Sequence, residues 1–151
     1  MARVDFYHLQ KTVREDMLPK LLLKAYATGK HIKVKVGTEE RVEFLNSQLW
    51  TFSDTSFLPH GSKKDGFAEQ QPIWLAADAE NPNNADFLVL VDGAEEPSET
   101  IQNYERVFNV FDGNSQEALA QARRLWKEYK NAGFEVYYWQ QDENNVWMQK
   151  A

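Results

Sequence analysis

Short strand-like runs alternate with helical stripes along almost the whole of this sequence, and that order admits few architectures. Residues 4–9 (VDFYHL), rich in β-branched and aromatic side chains, read as a first strand. Thr12 and Glu15 then have capping-box spacing, each able to satisfy the other's free amide at a helix start. Leu18, Leu21, Leu22, Ala25 and Tyr26 follow at the spacing of one buried helix face. Pro19 falls inside that window and predicts a kinked or shortened first turn unless the helix starts nearer to it, and Gly29 predicts the stop. Residues 31–36 (HIKVKV) alternate as a second strand. Thr38 then caps a helix with Val42, Leu45 and Leu49 on one face, ending near Trp50.

The second half continues the pattern. A loop rich in Ser, Pro, Gly and Lys is expected over residues 53–66, with SFLPHG at 56–61. Residues 72–75 and 87–91 are apolar runs without alternation, as strands buried on both faces require, and 78–84 between them is a polar turn. Residues 101–106 are expected to start a helix and 107–111 to form a strand. Asn114 to Glu117, again in capping-box form, opens a last helix that Asn131, Ala132 and Gly133 close. Residues 135–140 and 146–149 flank a turn and predict a hairpin. Together these imply an α/β fold with a mostly parallel sheet, helices on both faces and an antiparallel C-terminal edge. No internal repeat or linker interrupts the chain, so residues 1–151 are expected to form a single domain.

Composition removes several function classes. There is no cysteine, so disulfides, thiolate metal sites and cysteine nucleophiles are excluded. The start of the chain has no apolar signal-peptide core, and no apolar run nears the roughly 20 residues of a membrane helix. A soluble, cytoplasmic protein is expected. The net charge of −6 argues against a direct grip on a phosphate backbone, which needs a basic surface.

Catalytic patterns are equally scarce. The loop after the first strand, Gln10-Lys11-Thr12, lacks the glycines that let backbone amides reach phosphate. The run ending in Asp92 resembles the strand-plus-aspartate that holds magnesium in nucleotide hydrolases, but no phosphate loop accompanies it, and a strand ending in a turn is the plainer reading. His8, His31 and His60 have no metal-ligand spacing; core or edge roles suit His8 and His31, while His60 sits in a loop. The expectation is no catalytic residue, no metal and no cofactor.

One constellation stands out against the acidic background. Arg123, Lys127 and Lys130 share one face of the last helix, and Trp126 borders it. Cations around a large apolar ring suit a ligand that is both acidic and hydrophobic, such as a peptide carboxyl terminus with an aromatic last residue. A charge-assisted bond from arginine to such a carboxylate contributes about 1.5–3 kcal/mol. A solvated basic face near a helix C-terminus is the competing explanation.

DFYHL, GKHIKV, LW followed by SFLPHG, and AQARRLWKEYKNAGF, in this order, resemble the chi subunit of bacterial DNA polymerase III, a clamp-loader accessory subunit. The resemblance implies a Rossmann-like three-layer sandwich without nucleotide-binding function. It also implies a non-enzymatic adaptor in DNA replication. Such subunits link the clamp loader, through the psi subunit, to the C-terminal tail of single-stranded-DNA-binding protein. By that resemblance the tail site is Arg123, Trp126, Lys127 and Lys130, with Trp126 where the family's familiar member has tyrosine, so that a hydroxyl is missing. The psi-facing residues are Trp50, Phe57, Leu58 and Pro59. Residues 135–151 are longer than the family pattern leads one to expect. Two other readings compete: a small Rossmann-like enzyme acting on a nucleotide or nucleic acid, and a direct single-strand binder, against which the net charge counts.

Overall fold

The five residues of β5 (Phe87–Val91, FLVLV) offer no polar side, and helices packed on the two sides of the sheet bury both of their faces. The computed structural model describes residues 3–10, 14–51, 59–141, 144 and 146–150. Among them one sheet is formed by β5 together with β1 (Arg3–Leu9), β2 (Ile32–Val36), β3 (Gly61–Ser62), β4 (Ile73–Ala76), β6 (Arg106–Asp112), β7 (Glu135–Gln141) and β8 (Trp147–Gln149). Its order is β3-β4-β2-β5-β6-β1-β7-β8. Every described pairing is parallel except the antiparallel β7–β8 edge.

Four helices cover the sheet among these residues: α1 (Arg14–Tyr26), α2 (Glu39–Thr51), α3 (Ser98–Ile101) and α4 (Gln116–Asn131). Phe87, Val89 and Val91 face one core with Leu18 and Leu22 of α1 and Leu45 of α2. Leu88 and Leu90 face the other with Ile101 of α3 and Leu125 and Tyr129 of α4. This is the three-layer α/β sandwich expected from the alternation of elements.

The alternation of β2 has a different meaning from that of a half-exposed strand. Ile32, Val34 and Val36 enter the α1/α2 core, while Lys33 and Lys35 lie on the opposite face. Lys33 is almost wholly buried, and its ammonium donates to the carbonyls of Asp78 and Glu80. Lys35 donates to the carboxylate of Glu96 at 2.6 Å and the carbonyl of Glu95 at 2.9 Å. The stems cover sheet surface, and loop oxygens replace water at the charged ends.

Several local expectations need correction. α1 runs through Pro19 as a 13-residue helix, because burying Leu18, Leu21 and Leu22 offsets the lost backbone bond. The expected cap Thr12 lies outside the described residues. Residues 101–106 do not begin a helix. α3 instead ends at Ile101, whose buried side chain anchors it, and the chain turns into β6 at Arg106. The cap of α4 is Ser115, whose hydroxyl accepts from the Ala118 amide at 3.2 Å; the Asn114 side chain donates to the Gln10 carbonyl instead. Gly61 and Ser62, expected in a loop, pair with Trp74 and Leu75 at the sheet edge.

β1 holds the site-bearing half of the sheet together through one charged side chain. Asp5 is fully buried and accepts from Arg106 Nη2 on β6 at 2.8 Å, from Trp139 Nε1 on β7 at 2.9 Å and from Arg3 Nη2 at 3.1 Å. Removing this acceptor strands three donors, although the arginines retain partial access to water. Asp5→Ala is therefore expected to cost about 2–4 kcal/mol in denaturant unfolding, and Asp5→Asn less, because an amide oxygen still accepts from Trp139. An unchanged midpoint for Asp5→Ala would contradict this account.

Candidate functional site

α4 has a clear inner and outer side. Ala122, Leu125 and Tyr129 are buried, and the Tyr129 hydroxyl donates to the Glu96 carbonyl at 2.5 Å, which locks the helix roll against the sheet. That roll turns Arg123, Arg124, Lys127 and Lys130 outward and leaves Trp126 half-buried at the boundary. The cations then divide. Arg124 pairs with Glu95 at 2.5 Å and approaches Glu128 at 3.9 Å. Lys130 places its ammonium 5.3 Å from the Trp126 ring centre, a cation–π contact. Arg123 and Lys127 have no ion-pair partner among the described residues. The proposed cluster Arg123, Trp126, Lys127 and Lys130 is thus brought together on one surface.

The floor beside Trp126 comes from the sheet. Its indole stands edge-on to Phe6 of β1 (5.8 Å, 61°) and to Tyr138 of β7 (6.0 Å, 80°). Tyr138 also meets the Phe111 ring at 6.1 Å and the His8 ring at 5.8 Å. Its hydroxyl lies 2.5 Å from His8 Nδ1. Burial pushes the His8 imidazole below its ordinary pKa, and Arg123 pushes it further; Asp112 acts in the opposite sense. Burial raises the Tyr138 phenol while Arg123 draws it back down. Arg123 is therefore the cation that both rings sense.

Sequence reasoning gave His8 a core or edge role and passed over Tyr138. The signal was the strand register: β1 and β7 run parallel with Phe6 opposite Tyr138, so Phe6, His8 and Tyr138 share the α4 face.

The second predicted surface is described only in part. Trp50, at the end of α2, is 48% exposed, and its ring lies 4.2 Å from that of His60. Pro59 is half-buried, whereas Phe57 and Leu58 lie outside the described residues. Phe44, one helical face away, is 47% exposed.

With this geometry in view, comparison with known proteins is decisive. The sequence profile of the family described as DNA polymerase III chi subunit, HolC, matches residues 1–137. The chain belongs to the DNA polymerase III chi subunit family. A protein of Rickettsia prowazekii described as a probable DNA polymerase III subunit chi is 29% identical over 117 residues, covering 74% of this chain and 71% of its own length. The DNA polymerase III subunit chi of Pseudomonas aeruginosa is 25% identical over 138 residues, covering 89% and 93%. Membership places the chain among the subunits of a replicative polymerase. The α4 cluster lies within the matched stretch; Tyr138 and β8 lie just beyond it.

The other residues that looked chemical in the sequence have structural partners here. Asp92 (φ 54°) and Gly93 (φ 82°) are both left-handed, and the Ala94 amide donates to the Val91 carbonyl, so the aspartate after β5 shapes a tight turn. Its carboxylate also lies 3.3 Å from Arg41 Nε. His60 is buried, with Nε2 3.1 Å from the Asn46 carbonyl, and His31 Nδ1 lies 2.8 Å from the Asn83 carbonyl. A cavity of about 730 Å³ lies beyond the C-terminal ends of β5 and β6, where α/β sheets hold nucleotides. Its described lining carries Asp92, Asp112 and Glu117 but no lysine or arginine, a poor fit to phosphate. Among the described residues no acidic or histidine cluster suits a metal ion, and no helix is long and apolar enough to cross a membrane.

The depressed His8 pKa gives a test of this environment. As pH falls, the unfolded chain takes up a proton at about 6.5 before the folded chain does. The stability contributed by neutral His8 is thus complete above that value and is lost as pH falls through the lower folded pKa. An NMR titration of His8 is expected to have its midpoint below 6.5, and His8→Leu is expected to lose less stability than wild type between pH 7.5 and 5.5. A midpoint above the ordinary value would contradict the burial account.

Proposed function

We propose that this chi-family chain is a non-enzymatic adaptor of the cytoplasmic replication machinery, folded as a single domain, whose α4 surface binds the acidic C-terminal tail of single-stranded-DNA-binding protein. The carrying observation is that Arg123 and Lys127 are exposed beside the half-buried Trp126 ring and have no ion-pair partner among the described residues. In a chain of net charge −6, two unneutralised cations beside an aromatic wall favour an anion with an apolar end. Arg123 takes the terminal carboxylate in a bidentate fashion, Trp126 receives the terminal ring, and Lys127 and Lys130 attract acidic residues upstream. Docking a short flexible tail costs ordering entropy, so the affinity is on the order of micromolar.

Fluorescence anisotropy with a labelled acidic peptide ending in an aromatic residue tests this directly. Arg123→Ala is expected to weaken binding roughly tenfold or more, and Lys127→Ala about two- to fivefold. Amidating the peptide's carboxyl terminus should do about as much harm as Arg123→Ala, since each removes one side of the same contact. Added salt should weaken the complex, because these charges are exposed. Unchanged affinity for both variants would reduce α4 to a solvated basic face.

The surface around Trp50 is assigned to the psi subunit. Its support is the exposed Trp50 indole at the end of α2, with the ring of His60, the residue after Pro59, 4.2 Å from it. Trp50→Ser is expected to abolish capture of psi while leaving anisotropy with the tail peptide unchanged. Equal capture by wild type and Trp50→Ser would remove psi from this surface.

A further inference from the structure

Trp126 brings no hydroxyl to the α4 surface, but the neighbouring strand brings one. Tyr138 is half-buried between Trp126 and His8, and its hydroxyl is held 2.5 Å from His8 Nδ1. The protonation of this pair follows from its surroundings. His8 Nε2 is buried and has no hydrogen-bond partner among the described residues. It also lies where the backbone of Gly113 passes: a Cβ built on that glycine would come within 1.9 Å of Nε2, so no water fits between them. A buried N–H without an acceptor is rarer and costlier in folded proteins than a lone pair without a donor. The neutral imidazole accordingly carries its proton on Nδ1, the nitrogen facing Tyr138, and donates it to the phenolic oxygen. That oxygen's own hydrogen is then left to donate elsewhere. Trp126, one helical turn from Arg123 on α4, stands 6.0 Å from the Tyr138 ring, so an anion held at Arg123 against the indole lies on the side of the sheet that carries this donor.

On the tail-binding reading above, we propose that the Tyr138 hydroxyl is a second donor to the ligand's terminal carboxylate, held in place by His8. Arg123 supplies charge, and Tyr138 supplies a directed neutral donor. His8 is a positioning residue that fixes where the hydroxyl points, and Gly113 fixes His8. The arrangement makes the pocket selective for a free chain terminus over an internal acidic segment. An internal peptide group or terminal amide offers a neutral carbonyl oxygen, which accepts less strongly than a carboxylate. Tyr138 lies on β7, one residue beyond the stretch that matches the chi family.

The experiment uses anisotropy with the same acidic, aromatic-ended peptide in two forms, free acid and C-terminal amide. It compares wild type, Tyr138→Phe, His8→Leu, the double variant and Arg123→Ala, each with matched thermal unfolding. Tyr138→Phe keeps the ring and its packing on Trp126 while deleting only the hydroxyl. It should weaken the free acid about tenfold, as loss of one hydrogen bond to a charged group implies, and should leave the amide unchanged. His8→Leu should lose part of the same acid-over-amide preference, and the double variant should be no worse than Tyr138→Phe alone. Wild-type binding of the free acid by Tyr138→Phe, with Arg123→Ala still defective, would overturn this proposal and leave the tail reading intact. Equal weakening of acid and amide by Tyr138→Phe would make the tyrosine a packing residue and would also overturn it. If Arg123→Ala bound both peptides as wild type does, the tail reading itself would fall, and this proposal with it.

Discussion

The site depends on β1 lying between β6 and β7 in parallel register. That placement puts alternate residues of one strand to opposite uses. Asp5 faces the α1/α2 side, where it ties Arg106 of β6 and Trp139 of β7 to the same carboxylate. Phe6 and His8 face α4, where they form the floor on which Trp126 and Tyr138 rest. A one-residue slip of β1 would exchange these sets, burying the charge under α4 and sending the ring floor to the other core. The buried carboxylate resists such a slip, because its donors exist in one register only.

Charge is distributed so that a few cations remain available. Lys33 and Lys35 are spent on loop carbonyls and Glu96, Arg3 and Arg106 on Asp5, and Arg124 on Glu95. These partnerships fix loops and strands, and they compensate the burial that a sheet covered on both faces imposes. Arg123 and Lys127 sit on the side of α4 where the sheet presents rings rather than carboxylates. Their lack of ion-pair partners among the described residues follows from the roll of the helix, which Leu125 and the Tyr129 hydroxyl set.

Much of the order of elements was legible in the sequence because it is written in local pattern. FLVLV reads as a doubly buried strand, and Leu18, Leu21, Leu22 and Ala25 read as a helix stripe, since each pattern reflects the burial it produces. The misreadings occurred where tertiary burial overrides a local rule. Pro19 is tolerated because the leucines around it are in the core. Residues 101–106 lack a helix because Ile101 is an anchor at a helix end. HIKVKV alternates without having a solvent face, because loops 78–80 and 95–96 fold over the lysine heads. Ser115 rather than Asn114 caps α4, since Asn114 is diverted to the Gln10 carbonyl across the sheet edge.

The sequence by itself determined the α/β class, the family, and the cationic face of α4 with Trp126 at its border, all of which lie in residue order or in helical spacing. Only the tertiary structure decided what that face sits beside. His8, Phe111 and Tyr138 come from three strands far apart in the chain, and their meeting depends on strand order and register. A period of two tells which residues share a face of one strand; it carries no information about which strand lies alongside. The pairing of β1 with β7 is a product of whole-sheet assembly, in which the crossover through α4 and the burial of both sheet faces select one order among many. For that reason the tyrosine hydroxyl between His8 and Trp126 could be found in the fold and was hidden in the sequence.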